Sequence, residues 1–317
     1  MRYLVTGAAG FIGSHLVDRL LADGHDVIAV DNYATGRPVN LARHRDRERF
    51  TFVEQDVIAG FDGVALPDEL HGAFHLSCPA SPVDYLRLPI ETLRVCGEGT
   101  RNVLEVCRER GTQVLLASTS EVYGDPDVHP QTEDYWGHVN PNGPRSVYDE
   151  GKRYAEALAC AYERLDLLQV RIARIFNTYG PRMRLGDGRV LPAFGRAAIR
   201  GEPLPVFGDG SQTRSLCFVS DLVDGLVRLQ ASDLSGPVNL GNPQELTILE
   251  LAREIIELTG SSSEIVYKEL PQDDPRRRRP DITRARDGLD WRPLVDRRQG
   301  LEKTLEDFRR RLDAGEC

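Results

Sequence analysis

No apolar run in this chain of 317 residues approaches the ~18 that a membrane-spanning helix needs, so no membrane partner is expected. Nowhere do two cysteines stand as Cys-x-x-Cys. The six (Cys78, Cys96, Cys107, Cys160, Cys217 and Cys317) are scattered. That scatter fits reduced thiols in a cytosol better than a disulfide framework or a zinc site, so no metal is expected. Positive charge is outweighed, with Lys plus Arg at 40 against Asp plus Glu at 49; the resulting net charge of -9 argues against nucleic acid as the main partner. Internal repeats and low-complexity tracts are missing too. The opening Met1–Thr6 runs straight into a glycine-rich turn, which leaves no room for a signal peptide and points to a cytoplasmic protein.

What is present is ordinary for a globular protein: 40% hydrophobic and 28% charged residues, at a length suited to one large unit or two closely joined ones. One local exception is the run Arg276–Arg279. It reads either as a solvated basic turn offsetting Asp273 and Asp274 or as a guanidinium reaching a substrate phosphate.

The first half carries a dinucleotide site. The β-rich run Tyr3–Thr6 ends in Gly7-Ala-Ala-Gly10-Phe11-Ile12-Gly13, and a helical pattern with Ile12, Leu16, Leu20 and Leu21 follows. Glycines let backbone approach a pyrophosphate, and the helix N-terminus offers N–H donors. The next strand ends in Asp31, 18 residues past Gly13, near the spacing expected of an acid on the adenosine ribose. A carboxylate there repels a 2′-phosphate and favours NAD over NADP, with Asn32 beside it; Arg37 is the residue that could instead serve a phosphate. Further strand-like runs lead to Asp56-Val57, to Ser77–Ser81 and to Ser118–Glu121, with a helix across roughly Ile90–Arg110 between the last two. Strands alternating with helices predict a Rossmann-type, doubly wound parallel sheet, whose ligands sit at the carboxyl ends of the strands. The expected cofactor-binding set is Gly7, Gly10, Phe11, Ile12, Gly13, Asp31, Asn32, Arg37, Asp56, Val57 and Ser77, together with Tyr148 and Lys152.

Those last two stand as Tyr148-Asp-Glu-Gly-Lys152, beginning 27 residues after Glu121. At i and i+4 they share one helix face. A phenol of reference pKa near ~10 is a poor base at neutral pH, but an ammonium beside it, with an oxidised nicotinamide nearby, lowers that value. The phenolate can then take the proton of a substrate alcohol while hydride leaves. Two exposed residues one turn apart would show the same spacing, and the dinucleotide site upstream is what favours chemistry.

With these residues in view, the chain resembles the extended short-chain dehydrogenase/reductase superfamily, the NAD-dependent sugar-nucleotide epimerases and dehydratases. Within it the longer blocks are most similar to the UDP-glucuronate decarboxylase family, over about residues 1–308. These blocks are Ser118–Asp125, His129–Gln131, Tyr135–Gly137, Tyr148–Arg153, Ala173–Met183, Gln212–Ser215, Val238–Pro243, and Asp273–Pro275 with Pro280–Ile282. The 4,6-dehydratases carry Asp-Glu where Ser120-Glu121 stands here. Serine lacks the acidity to protonate a departing C6 hydroxyl, so dehydration is disfavoured. Decarboxylation needs no such acid: once C4 is a ketone, a C6 carboxylate makes the sugar a β-keto acid. The resemblance implies conversion of UDP-glucuronate to UDP-xylose, with Tyr148 as base at C4, Lys152 tuning it, Thr119, Ser120 and Glu121 facing the sugar, and Arg214 near the reacting end. It implies Tyr85 closing on the substrate carboxylate, and Asn177, Arg182, Arg189 and Arg278 contacting diphosphate or uridine. Three positions depart from that family: Cys96-Gly97 for Asn-Thr, Pro192-Ala193 for Ser-Asn, and Val83-Asp84 for Pro-His. The last puts a carboxylate near the loop thought to meet the substrate acid.

After Gly180 the βα regularity is lost. Residues 1–179 are expected to form the NAD-binding domain, and 180–317 mainly a smaller α/β nucleotide-sugar domain with some segments returning to the first. The resemblance also implies a homodimer through helices near Ile90–Arg110 and Tyr148–Leu165, with Val103, Val106, Ala155, Leu158 and Tyr162 as apolar positions. Two alternatives stay open: a UDP-sugar 4-epimerase using the same Tyr, Lys and NAD, and a non-catalytic NAD-binding regulator on the same fold.

Overall fold

The computed structural model describes residues 1–270 and 277–316. Asp273, Asp274, Pro275 and Arg276 of the basic turn and its motif, and Cys317, lie outside the described residues. In chain order the strands are β1 Arg2–Thr6, β2 Asp26–Asp31, β3 Phe50–Glu54, β4 Gly72–His75, β5 Val114–Thr119, β6 Val170–Ile175, β7 Thr178–Tyr179, β8 Leu204–Phe207, β9 Thr213–Ser215, β10 Cys217–Phe218, β11 Pro237–Leu240, β12 Glu245–Thr247 and β13 Ile265–Lys268.

Seven of them form one parallel sheet in the order β11-β6-β5-β4-β1-β2-β3. Helices cover both faces, which is why β5 is buried at all six positions rather than at alternate ones. Successive residues feed opposite cores: Val5 and Leu115 join Leu16, Leu20, Leu222 and Leu226 on one side. Leu4 and Leu116 join Val103, Leu104, Ala155 and Ala159 on the other. The strand-to-helix alternation expected from the sequence is therefore the observed one, with Phe11–Ala22 following β1 and Ser146–Arg164 preceding β6.

The helix expected near Ile90–Arg110 is interrupted. Pro89–Arg94 and Thr100–Glu109 are α-helical, and Val95–Gly99 between them is a π-turn. The wider turn sets Cys96 behind the helix of Tyr148 and Lys152, so close that a Cβ on Gly151 would lie 3.2 Å from its Sγ.

Beyond Gly180 three short strand pairs, β7–β10, β9–β12 and β8–β13, accompany the helices Val190–Arg200, Ile248–Thr259 and Arg297–Asp313. These helices share Phe194, Ala197, Leu251, Ile255, Leu301 and Phe308 as core. The Ile248–Thr259 helix opens on a capping box in which Thr247 and Glu250 satisfy each other's backbone N–H groups. Two later segments return to the large sheet: β11 pairs with β6, and the Val219–Gln230 helix packs beside Phe11–Ala22.

Candidate active site

Parallel pairing brings the carboxyl ends of the strands to one edge, and a cavity runs along it. It is lined by Gly7, Gly10, Phe11, Ile12, Gly13 and Arg37 at one end. Tyr85, Thr119, Ser120, Glu121, Tyr148, Lys152, Asn177, Arg182, Arg189, Arg214 and Arg278 line the rest. Asp31, Asn32, Asp56, Val57 and Ser77 stand at the same sheet edge but off that lining.

The glycine turn fits a dinucleotide. A Cβ on Gly13 would sit 2.1 Å from the Gly7 carbonyl oxygen, so the chain there closes more tightly than any side chain allows. The helix starting at Phe11 has no side-chain cap, so its first N–H groups are suited to an anion such as a phosphate. Asp31 accepts from Ala9 N–H at 2.9 Å and Tyr33 N–H at 2.7 Å, which fixes its carboxylate against the turn. Burial pushes its pKa up, with those amides working the other way. Asn32 and Asp56 hold their own loops, accepting from Ala34 N–H at 3.0 Å and Ile58 N–H at 2.9 Å.

Tyr148 lies buried, its ring stacked on Tyr85 with centroids 5.1 Å apart and planes 7° from parallel. The Tyr85 hydroxyl is itself buried and without a partner among the described residues. Lys152 donates to the Ala117 carbonyl at 2.8 Å, its ammonium 6.0 Å from the centre of the Tyr148 ring. Burial raises the phenol's pKa well above the ordinary value and Cys78 and Glu121 push the same way, while Thr119 lowers it. An oxidised nicotinamide bound here would add a positive charge that favours the phenolate.

Glu121 sits between two guanidinium groups, Arg145 at 2.7 Å and Arg278 at 2.9 Å. Burial alone would raise its pKa, but Arg278 and Arg145 hold it down at about 2, so it is a permanent anion and not a proton donor. Arg278, almost fully buried, also donates to Ser120 Oγ at 2.9 Å and to the Gly124 carbonyl at 3.2 Å, while its Nε has no partner among the described residues. Asp149, beside this cluster, is pushed up to about 8 by burial and by Glu121.

A network of the quoted sequence blocks fixes Arg278. Gln131, fully buried, accepts the Arg279 N–H at 2.8 Å on its side chain and donates its own backbone N–H to the Arg279 carbonyl at 2.9 Å. Asn239 donates to the Gln131 and Asp281 carbonyls at 3.0 and 3.1 Å and accepts from the Tyr123 hydroxyl at 2.7 Å. The hydroxyl of Tyr123 in turn accepts from Arg174, which grips Glu156 with two nitrogens. Ser118, on the strand end leading to Thr119, donates to that same Glu156.

The other expected site residues have partners within the protein. Arg214 is placed on β9, donating to the Thr213 carbonyl at 2.8 Å, and the arginine against Ser120 and Glu121 is Arg278. Arg182 pairs with Asp18, which Arg43 also engages, and Arg189 pairs with Asp187 through Nε at 2.7 Å; both arginines line the cavity. Asp84 does not present a bare carboxylate: it takes a 2.6 Å bond from Ser81 Oγ and pairs with Arg184 and Arg87. The cysteines within the described residues are free, as expected, but Cys78 and Cys96 meet at 3.6 Å between sulfurs. Sequence reasoning missed Arg145, although it stands one helical turn before Tyr148, and a cation on that face is the signal that could have found it.

Comparison with known proteins agrees with this geometry. The model of the NAD dependent epimerase/dehydratase family matches residues 3–241. UDP-glucuronic acid decarboxylase 1 of Xenopus tropicalis is 51% identical over 312 residues, 98% of this chain and 73% of that protein. UDP-glucose 4-epimerase of Thermotoga maritima, solved with UDP-glucose, superposes with a TM-score of 0.89 at 31% identity, covering 98% of this chain and 100% of that one. UDP-glucuronic acid 4-epimerase of Bacillus cereus, solved with UDP-glucuronic acid and NAD, gives a TM-score of 0.87 at 25% identity, covering 98% and 99%. A glycine cradle open to a dinucleotide, a Tyr-Lys pair at its far end and matches this long have one common reading: the chain belongs to the NAD-dependent epimerase/dehydratase family.

Proposed function

We propose that this enzyme decarboxylates UDP-glucuronate to UDP-xylose. The observation that carries the reading is the cluster Ser120–Glu121–Arg278 beside Tyr148. Where elimination of water would need an acid, it offers a hydroxyl held by a guanidinium and a carboxylate held ionised. The similarity to UDP-glucuronic acid decarboxylases over nearly the whole chain supports it.

The glycine turn and Asp31 would hold NAD, which would supply the hydride acceptor for C4 and the hydride that later restores the alcohol. Tyr148 takes the C4 hydroxyl proton as that carbon is oxidised, and Lys152 is fixed behind it by Ala117. Thr119, beside the phenol, favours its ionised form. In the resulting β-keto acid the bond from C5 to C6 breaks, carbon dioxide leaves, and its electron pair becomes the enolate spread over C5 and the C4 oxygen. Arg278 and Arg145 stand on either side of Glu121, and guanidinium groups suit a sugar carboxylate and its developing anion. A proton drawn from solvent water then adds at C5 and collapses the enolate back to the C4 ketone. Glu121, ionised at any pH near neutrality, orients a ring hydroxyl and is not that proton's source. Tyr148 gives back its proton as C4 is reduced.

The enzyme is proposed to work as a homodimer. Val103, Val106 and Ala155 are buried in the protomer's own core, and the apolar face that remains is Leu86, Ile90, Leu93 and Tyr154, exposed by 53, 62, 43 and 56%.

Incubation with UDP-glucuronate and trace NAD is expected to evolve carbon dioxide and give a UDP-sugar lighter by that mass, and Tyr148→Phe to lose the activity about 10²–10⁴-fold. A product of unchanged mass overturns the reading in favour of 4-epimerisation.

A further inference from the structure

Glu316 reaches the cofactor loop from the far end of the chain. Its two carboxylate oxygens take both terminal nitrogens of Arg37, at 2.6 and 2.8 Å, and Arg311 Nε donates to one of them at 3.0 Å. Burial works against the ionised form, but Arg311 and Arg37 hold the Glu316 carboxyl below the usual range. Arg311 is fixed in its turn by Asp307 at 3.0 Å, so the carboxylate is supported from behind.

Arg37 and Asp31 leave the same knot of backbone. The Arg37 N–H donates to the Ala9 carbonyl at 3.0 Å, and Ala9 N–H donates to Asp31 at 2.9 Å. A Cβ on Gly36 would lie 2.7 Å from the Asp31 carboxylate. A dinucleotide carrying a 2′-phosphate brings two negative charges to this point, next to the ribose position that Asp31 marks. Asp31 repels them. An unengaged guanidinium fork next door would attract them, and its planar geometry matches phosphate oxygens.

We propose that Glu316 is a specificity-determining residue for the cofactor: by occupying both forks of Arg37 it withholds that cation from a 2′-phosphate, so the choice of NAD over NADP rests on Glu316 as well as Asp31. The inference shares with the proposed function only the dinucleotide itself, and its test reads binding, so failure of the decarboxylase reading would leave it standing.

Glu316→Gln keeps size and one acceptor but removes the charge. Competition of NADP against protein-bound NADH, followed by fluorescence at low salt, is expected to show NADP binding about three- to tenfold tighter in the variant, with NAD within about twofold. Glu316→Asp, which retains the anion, is expected to keep the parent ratio, and the gain is expected to shrink as salt is added. In Glu316→Gln with Arg37→Met the gain disappears. An unchanged ratio of NADP to NAD affinity in a Glu316→Gln protein that melts like the parent overturns the proposal, as does a gain that survives loss of Arg37.

Discussion

Replacing Glu121 by glutamine leaves its shape and removes its charge from between Arg145 and Arg278, both within 3 Å by distances of 2.7 and 2.9 Å. The folded protein holds this carboxyl at about 2 against an ordinary glutamate value of 4.5. At 1.36 kcal/mol for each pH unit, that difference corresponds to about 3 kcal/mol of stability near neutral pH. Breaking a buried ion pair by removing one partner costs roughly 3–5 kcal/mol by a separate route, so the two magnitudes agree. The sign follows from the depressed value. Stabilisation by Glu121 is fully present above the unfolded-state pKa and is lost as pH falls toward the folded-state one. Urea unfolding at about pH 7 should therefore place Glu121→Gln about 3 kcal/mol below the parent, and the gap should narrow to about 2 kcal/mol near pH 3.5. A gap under about 0.5 kcal/mol at neutrality, or one of constant size on acidification, would refute the account of Glu121 as an anion clamped by two arginines. The same clamp predicts that the pH profile of carbon dioxide release above about pH 5 carries no step from Glu121.

Two further outcomes are expected. Cys78 is drawn down to about 7 by the hydrogen bond from Cys96, against burial and with help from Lys152, whereas burial pushes the Cys107 and Cys217 thiols up. Iodoacetamide at neutral pH should therefore alkylate Cys78 first, and Cys96→Ala should slow that labelling several-fold; equal rates by peptide mass spectrometry would contradict the thiol pairing. Sedimentation should give a dimer at micromolar concentration, shifted toward monomer by Ile90→Glu with Leu93→Glu, and a clean monomer of the parent protein would remove the exposed helical face as an interface.

What could be read from the sequence, and what could not, divides by how far apart the interacting residues lie. The turn Gly7–Gly13, the strand ends at Asp31 and Thr119, and the pair Tyr148 and Lys152 are each set by local rules of spacing, and the structure has them where those rules put them. The π-turn at Val95–Gly99 was not legible, because the helical segments on either side of it are too short to show the change of phase that one inserted residue makes in the apolar pattern. Nor was the arginine that meets Ser120 and Glu121 legible. Gln131 and Asn239 hold both sides of the Arg279–Asp281 backbone against the loop after β5 and so bring Arg278 onto Ser120, 158 residues away in the chain. The pairing of Arg37 with Glu316, 279 residues apart, is of the same kind. Charged side chains at such separations meet only after the sheet and its covering helices have been placed, so local pattern supplies the chemistry a site can perform and the packing of distant segments decides which residue of a given type performs it.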